Sequence, residues 1–221
     1  MIELKNITKV YNPNKRNQFT ALKDISLTVN DGEFVAITGE SGSGKSTLLH
    51  IIGLLDFPTL GEYILNEEKT GDEGDSACAR LRVREIGFVK QDFALIENYT
   101  ALDNVMMPLY PLKAKDKKQK AEQALQKVGV ERLKDKQVSQ LSGGEKQRVA
   151  IARAIVTEPK IILADEPTGS LDSKTGEDIF NLLEELKNSG MTVIVVTHDN
   201  KLAQRCEKRI VLKDGEIASY S

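Results

Sequence analysis

The sequence predicts an α/β protein: one α/β core with a β-rich start and a helical insertion. Three observations predict it. Near the start, "IELKNITKVY" and "ALKDISLTV" alternate apolar and polar residues with the period of half-buried strands. In the middle, "TALDNVMMPL" and "DKKQKAEQALQKVGV" have helical spacing, with Ala121, Leu125 and Val128 on one face. Towards the end, "KIILADE" and "TVIVVTHD" are continuously apolar, as strands of a buried parallel sheet are.

Taken in order, the two alternating segments form the β-rich start. "NDG" at Asn30 to Gly32 predicts a hairpin turn into the strand "EFVAIT". That strand runs into a glycine-rich loop, and "KSTLLHIIGLL" follows as a buried helix. A strand "EIGFVKQ" ends at Gln91, and the helical region comes next. The lysines at 113, 115, 117, 118 and 120 read as its solvated side. "QLSGGEKQRVAIARA", residues 140–154, opens another helix with a Ser-Gly-Gly triplet. After "KIILADE" come an amphipathic helix around "TGEDIFNLLEELKNSG", the strand "TVIVVTHD" and a closing hairpin "RIVLKDGEIAS" that turns at Asp214 and Gly215.

The chain has 221 residues and a net charge of −2 from 31 basic and 33 acidic residues, which argues against nucleic-acid binding through a basic face. Apolar runs such as "LLHIIGLL", broken by His50, are too short to cross a bilayer. The N-terminus reads as a strand and not as a signal peptide. Cys78 and Cys206 stand apart with no metal spacing, as reduced cytosolic thiols would.

The chemistry is concentrated in a few motifs. "GESGSGKS" fits G-x-x-x-x-G-K-[ST], with Gly39, Gly44, Lys45 and Ser46 in register between a strand and a helix. Glycines let the backbone wrap phosphates closely; Lys45 would reach the β- and γ-phosphates and the Ser46 hydroxyl would ligate Mg²⁺. A dinucleotide fingerprint fits worse, because Thr47 stands where its third glycine belongs. Asp165 ends an apolar strand, where it can hold the metal, and Glu166 after it suits a base orienting the attacking water. His198, at the end of the next strand, could reach the γ-phosphate. The "SGG" cluster is a second anion-binding helix start, which a single nucleotide site does not require.

Together, "GESGSGKST", Gln91, "LSGGE", "ILADE", "GSLD" and His198, in that order, resemble the nucleotide-binding subunit of an ATP-binding cassette (ABC) transporter over essentially the whole chain. The resemblance implies a P-loop NTPase (RecA-like) core with an N-terminal antiparallel β-subdomain and an inserted α-helical subdomain. In that reading residues 1–221 are a single nucleotide-binding domain. Residues 1–91 and 158–221 form the ATP-binding core with the β-subdomain, and 92–157 the helical subdomain carrying the signature motif. It further implies that ATP and Mg²⁺ are held head to tail in a homodimer of ATPase subunits. One protomer would supply Gly39, Ser41, Gly42, Ser43, Gly44, Lys45, Ser46 and Thr47 with Asp165 and Glu166. The other would supply the signature Leu141, Ser142, Gly143, Gly144 and Glu145. Gln91 would contact Mg²⁺ or the attacking water, Tyr11 would stack on adenine, and Asp172 would lie at the dimer interface.

A finer likeness, in "ALKDISLTVNDGEFVAITGESGSGKSTLLHIIGLLDFPTLGEY" and "ADEPTGSLDSKTGE", is to the branch of macrolide exporters, lipoprotein-release systems and antimicrobial-peptide or bacteriocin export. It implies a separate transmembrane permease as partner, with residues 92–99 lining the groove for its coupling helix. The chain would meet the membrane only through that permease, at the cytoplasmic face, and would bind no nucleic acid. Lys90, Glu145 and the acidic stretch "NEEKTGDEGDSACA" depart from the branch's usual residues without removing a phosphate or metal ligand. A non-transport ABC ATPase of DNA repair or translation is the alternative, and a simple P-loop kinase would leave "LSGGE" unexplained. An aspartate at Gly144 is expected to face the neighbour's γ-phosphate and block closure.

Overall fold

The computed structural model describes residues 1–70 and 74–220. Strands β1 (Ile2–Tyr11), β2 (Phe19–Val29) and β3 (Phe34–Gly39) are followed by α1 (Lys45–Ile52), β4 (Leu60–Leu65), β5 (Glu68–Lys69), α2 (Asp75–Glu85) and β6 (Ile86–Lys90). Then come α3 (Ala101–Met106), α4 (Lys117–Lys127), α5 (Gly143–Ile155), β7 (Ile161–Asp165) and α6 (Ser173–Asn188). The chain ends with β8 (Thr192–Val196), α7 (Asn200–Ala203), β9 (Lys208–Lys213) and β10 (Glu216–Tyr220). Two compact units divide it: Met1–Arg82 with Thr192–Ser221, and Val83–Met191.

In the first unit an antiparallel sheet runs β2-β1-β4-β5. Its first pair is registered from Ile2 opposite Val29 to Tyr11 opposite Phe19. Strands β3 and β8 are of the buried parallel kind: β3 pairs in parallel with both β8 and β9, and β9 turns at Asp214 and Gly215 into antiparallel β10. Both turn residues have positive φ, 51° and 82°, as a tight hairpin requires. Helix α1 buries Leu48, Leu49, Ile51 and Ile52. The buried Tyr63 donates its hydroxyl proton to the Ile52 carbonyl at 2.8 Å, which binds β4 to the end of that helix.

One expectation is corrected here. Asn30 to Gly32 do form a turn, with the Glu33 amide donating to the Asn30 carbonyl, but β2 and β3 are not a hairpin. The amphipathic β2 pairs with β1, whereas β3, apolar on both faces, lies between β8 and β9. A local turn signal cannot report which neighbour a strand chooses, and the two patterns belong to different kinds of sheet.

In the second unit β6 lies parallel to β7, from Ile86 opposite Ile161 to Lys90 opposite Asp165. Helix α5 presses on β6: a Cβ at Gly87 would come 2.3 Å from the Ala154 carbonyl oxygen, so only glycine fits. Ala121, Leu125 and Val128 are buried as their spacing predicts, and Lys113, Lys115, Lys118 and Lys120 are exposed. Helix α6 buries Ile179, Phe180, Leu182, Leu183 and Leu186 along one stripe.

The pair β4 and β5 and the helix α2 escaped the sequence reading. Helix α2 is rich in charged residues and shows no clear apolar stripe. Residues 71–73 of the acidic stretch lie outside the described residues. Among the described residues no helix is long and apolar enough to cross a membrane. Cys78 is buried and Cys206 partly so.

Candidate active site

In the first unit the phosphate loop joins the carboxyl end of β3 to the amino end of α1. Gly39 (φ 149°) lies so close to β9 that a Cβ would sit 2.2 Å from the Leu212 carbonyl oxygen. Gly44, the N-cap of α1 at φ 104°, would place one 2.7 Å from the Ala21 carbonyl oxygen. Neither the conformation nor the space admits a side chain at either end of the loop. Gly215 of the closing hairpin donates its amide to the Ser43 carbonyl at 3.2 Å and so braces the loop from below. The Lys45 ammonium arches back over the loop, donating to the carbonyls of Gly39 at 2.9 Å and Glu40 at 2.7 Å. Ser43 Oγ, buried in the loop, has no hydrogen-bond partner among the described residues. Ser41, Gly42 and Ser46 are exposed.

His198 follows β8, whose Val196 is level with Ile37 of β3, so it stands exposed at the same end of the strands as Gly39. Tyr11, at the end of β1, donates its hydroxyl to Asp56 at 2.8 Å and also bonds the Thr47 side chain. Lys9 Nζ, on the same strand face two residues earlier, reaches Asp56 Oδ1 at 2.5 Å and the Phe57 carbonyl at 2.7 Å, and lies 4.9 Å from the Tyr11 ring centre. Burial alone would raise the Asp56 carboxyl, but hydrogen bonds from Lys9, Tyr11 and the Phe57 amide outweigh it and hold the group below its ordinary range. Burial and the Asp56 acceptor push the Tyr11 phenol up. Sequence reasoning singled out Tyr11 and missed Lys9 and Asp56; the two-residue spacing of Lys9 and Tyr11 on a strand was the available signal.

In the second unit the parallel register of β6 and β7 sets Gln91 and Glu166 one residue beyond the paired Lys90 and Asp165. A Cβ on Gly169 would come 3.0 Å from Gln91 Nε2 and 3.5 Å from Glu166 Cβ, so all three share one corner. Ser170 Oγ donates to the Gln91 carbonyl at 3.1 Å, and the Gly169 amide closes a turn on the Glu166 carbonyl at 3.0 Å. Glu166 has φ 46°, a conformation side chains other than glycine adopt at a cost, next to a partly buried Asp165.

The signature residues head α5. Leu141 is buried and Ser142 is the N-cap. Its Oγ accepts from the Glu145 amide at 3.4 Å, while its own amide (3.0 Å) and hydroxyl (2.8 Å) donate to the Glu145 carboxylate. The Ser142 amide, then its hydroxyl, hold that carboxyl below its ordinary range. Gly143 and Gly144 pack on the start of α6: a Cβ would meet Leu171 Cδ2 at 3.1 Å and Thr175 Cγ2 at 2.5 Å respectively. An aspartate at 144 would therefore also press on Thr175 of its own chain. Asp172 caps α6, accepting from the amides of Lys174 and Thr175 at 3.1 Å each and from the Thr175 hydroxyl at 2.6 Å. The Thr175 hydroxyl is the main reason its carboxyl is held low.

Ser46, Asp165 and Gln91 offer a hydroxyl, a carboxylate and an amide oxygen. These are hard donors, too few for a protein cage, and no cluster of three or more His, Cys, Asp or Glu able to hold a metal occurs among the described residues. Oxygen donors of these kinds suit Mg²⁺, which keeps its waters and shares the phosphates of its substrate.

A family model described as "ABC transporter" matches residues 22–169. The chain is 49% identical over 224 residues to the uncharacterised ABC transporter ATP-binding protein MJ0796 of Methanocaldococcus jannaschii, covering 98% of this chain and 95% of that one. A dimeric structure of MJ0796 in a post-hydrolysis state bound to ADP and Pi superposes with a TM-score of 0.91 at 47% identity, over 100% of this chain and 98% of the other. The lipoprotein-releasing system ATP-binding protein LolD 1 of Rhodopseudomonas palustris is 44% identical over 224 residues, 99% of this chain and 98% of its own. The macrolide export ATP-binding/permease protein MacB of Chlorobaculum tepidum is 44% identical over 218 residues, 98% of this chain but 33% of its own length.

Proposed function

The chain belongs to the ABC transporter family, as an ATP-binding ATPase subunit, and from that premise we propose that it drives a separate transmembrane permease from the cytoplasmic face of the membrane. The work would be efflux of a macrolide, antimicrobial peptide or bacteriocin, or mechanotransmission of the lipoprotein-release kind. The observation that carries the nucleotide reading is the loop from Gly39 to Thr47: two glycines too tightly packed for any side chain, and Lys45 held over the loop's own carbonyls.

In this reading residues 1–91 and 158–221 are the ATP-binding core and 92–157 the helical part. The loop amides and Lys45 hold the phosphates, and Tyr11, fixed by Asp56 and Thr47, offers its ring to adenine. Ser46, Asp165 and Gln91 would hold Mg²⁺, which when bound neutralises charge on the transferring phosphoryl. Glu166 orients the attacking water and accepts its proton, and His198 donates to the γ-phosphate. Ser142, Gly143 and Gly144, with Leu141 and Glu145 behind them, meet the nucleotide of a second identical subunit, and Asp172 lies at that interface. This resolves the apparent redundancy of two glycine clusters: one serves the chain's own ATP, the other its neighbour's.

The test is Glu166→Gln, with phosphate release as the readout. Loss of the base should lower kcat by at least about 100-fold while nucleotide affinity persists. Hydrolysis at the wild-type rate would overturn the assignment of the base.

A further inference from the structure

The helix headed by the signature motif carries two side chains whose partners are the backbones of the proposed catalytic segments. Gln147, fully buried, donates Nε2 to the Pro167 carbonyl at 2.7 Å, one residue beyond Glu166. Its Oε1 is buried with no partner among the described residues, a free-energy cost that an apolar residue of the same shape would not carry. Arg153 donates Nη2 to the Phe93 carbonyl at 2.8 Å and Nη1 to the Ala94 carbonyl, two and three residues beyond Gln91.

Both segments are in strained conformations. Glu166 has φ 46°, and Phe93 and Ala94 are consecutive non-glycine residues at φ 61° and 48°. Such backbone persists only where its surroundings over-determine it, and in each case one arm of α5 supplies that constraint. The two arms leave α5 about 9 Å apart along its axis and about 120° apart around it, so one rigid rod addresses two separate places.

We propose that Gln147 and Arg153 are positioning residues for ATP hydrolysis: through them α5 sets where Glu166 and Gln91 stand. Because Ser142 caps the same helix, a shift of α5 when the signature meets the neighbour's nucleotide passes to both segments of its own chain. This rests on the ATPase reading above. Neither residue touches substrate; each acts by holding a carbonyl.

The experiment measures kcat, KM for ATP, affinity for a fluorescent ATP analogue and thermal midpoint for Gln147→Met, Arg153→Met and Arg153→Lys in the full chain. Gln147→Met and Arg153→Met should each lose about tenfold or more in kcat, with nucleotide affinity within about twofold. Thermal midpoints should stay within about 5 °C of wild type, the shift expected of one modest local change. Arg153→Lys, able to reach one carbonyl, should recover part of what Arg153→Met loses. If Gln147→Met does not fold, the Arg153 pair decides. Folded variants with kcat within about twofold of wild type, or with affinity falling in step with kcat, would overturn the proposal. An inactive wild-type chain would instead count against the ATPase reading.

Discussion

At the scale of single residues, Lys9, Asp56 and Thr47 surround Tyr11, the residue proposed to stack on adenine, with groups that need not touch phosphate. Lys9 and Asp56 are 12% and 27% exposed in their side chains, so the pair is shielded enough to fix the Tyr11 ring while its hydroxyl bonds Asp56. Tyr11→Ala should weaken ATP binding by about two- to tenfold, the worth of one aromatic stack, as read by nucleotide titration. Asp56 adds a pH signature. Its carboxyl is held below the ordinary range in the folded chain, so its stabilisation is present above the unfolded-state pKa and fades as pH falls through the folded value. Denaturant titrations should therefore show wild type losing more stability than Asp56→Asn between neutral and acid pH. Equal losses would mean the pair is idle.

At the scale of elements, the start of α5 explains a residue that the sequence marks only as a departure. Glu145 stands where a glutamine is usual, yet Ser142 and Glu145 form a reciprocal cap in which each side chain meets the other's amide. Ser142→Ala should cost about 1 kcal/mol of stability, whereas Glu145→Gln, whose amide oxygen can accept the same bonds, should change neutral-pH unfolding much less. The helix start at the Ser-Gly-Gly triplet was legible in the sequence, as were β6, β7, β8, the burial face of α4 and the closing hairpin. Their periodicities are unambiguous. The partners of β2 and β3 were not legible, because a turn signal is local and strand pairing is not. Helix α2 was hidden by its charge, and the collision of a Gly144 side chain with Thr175 depends on how α5 and α6 pack.

At the scale of the whole molecule, function was more legible than geometry. The order of motifs, from Gly39 through Gln91, Ser142, Asp165 and Asp172 to His198, carries the ATPase reading, and the family match bears it out. Single motifs report single bonds; their order along the chain reports a machine. What order cannot convey is the wiring inside it, such as the buried Gln147 or the Arg153 hold on Phe93 and Ala94, since neither residue belongs to a phosphate or metal motif. The central claim is that the second glycine cluster serves a neighbour's nucleotide. Its most direct measurement is the mass of Glu166→Gln in solution by light scattering, with Mg·ATP and with Mg·ADP. The mass should double with Mg·ATP and stay monomeric with Mg·ADP; a monomer at saturating Mg·ATP, with nucleotide shown to be bound, would contradict it.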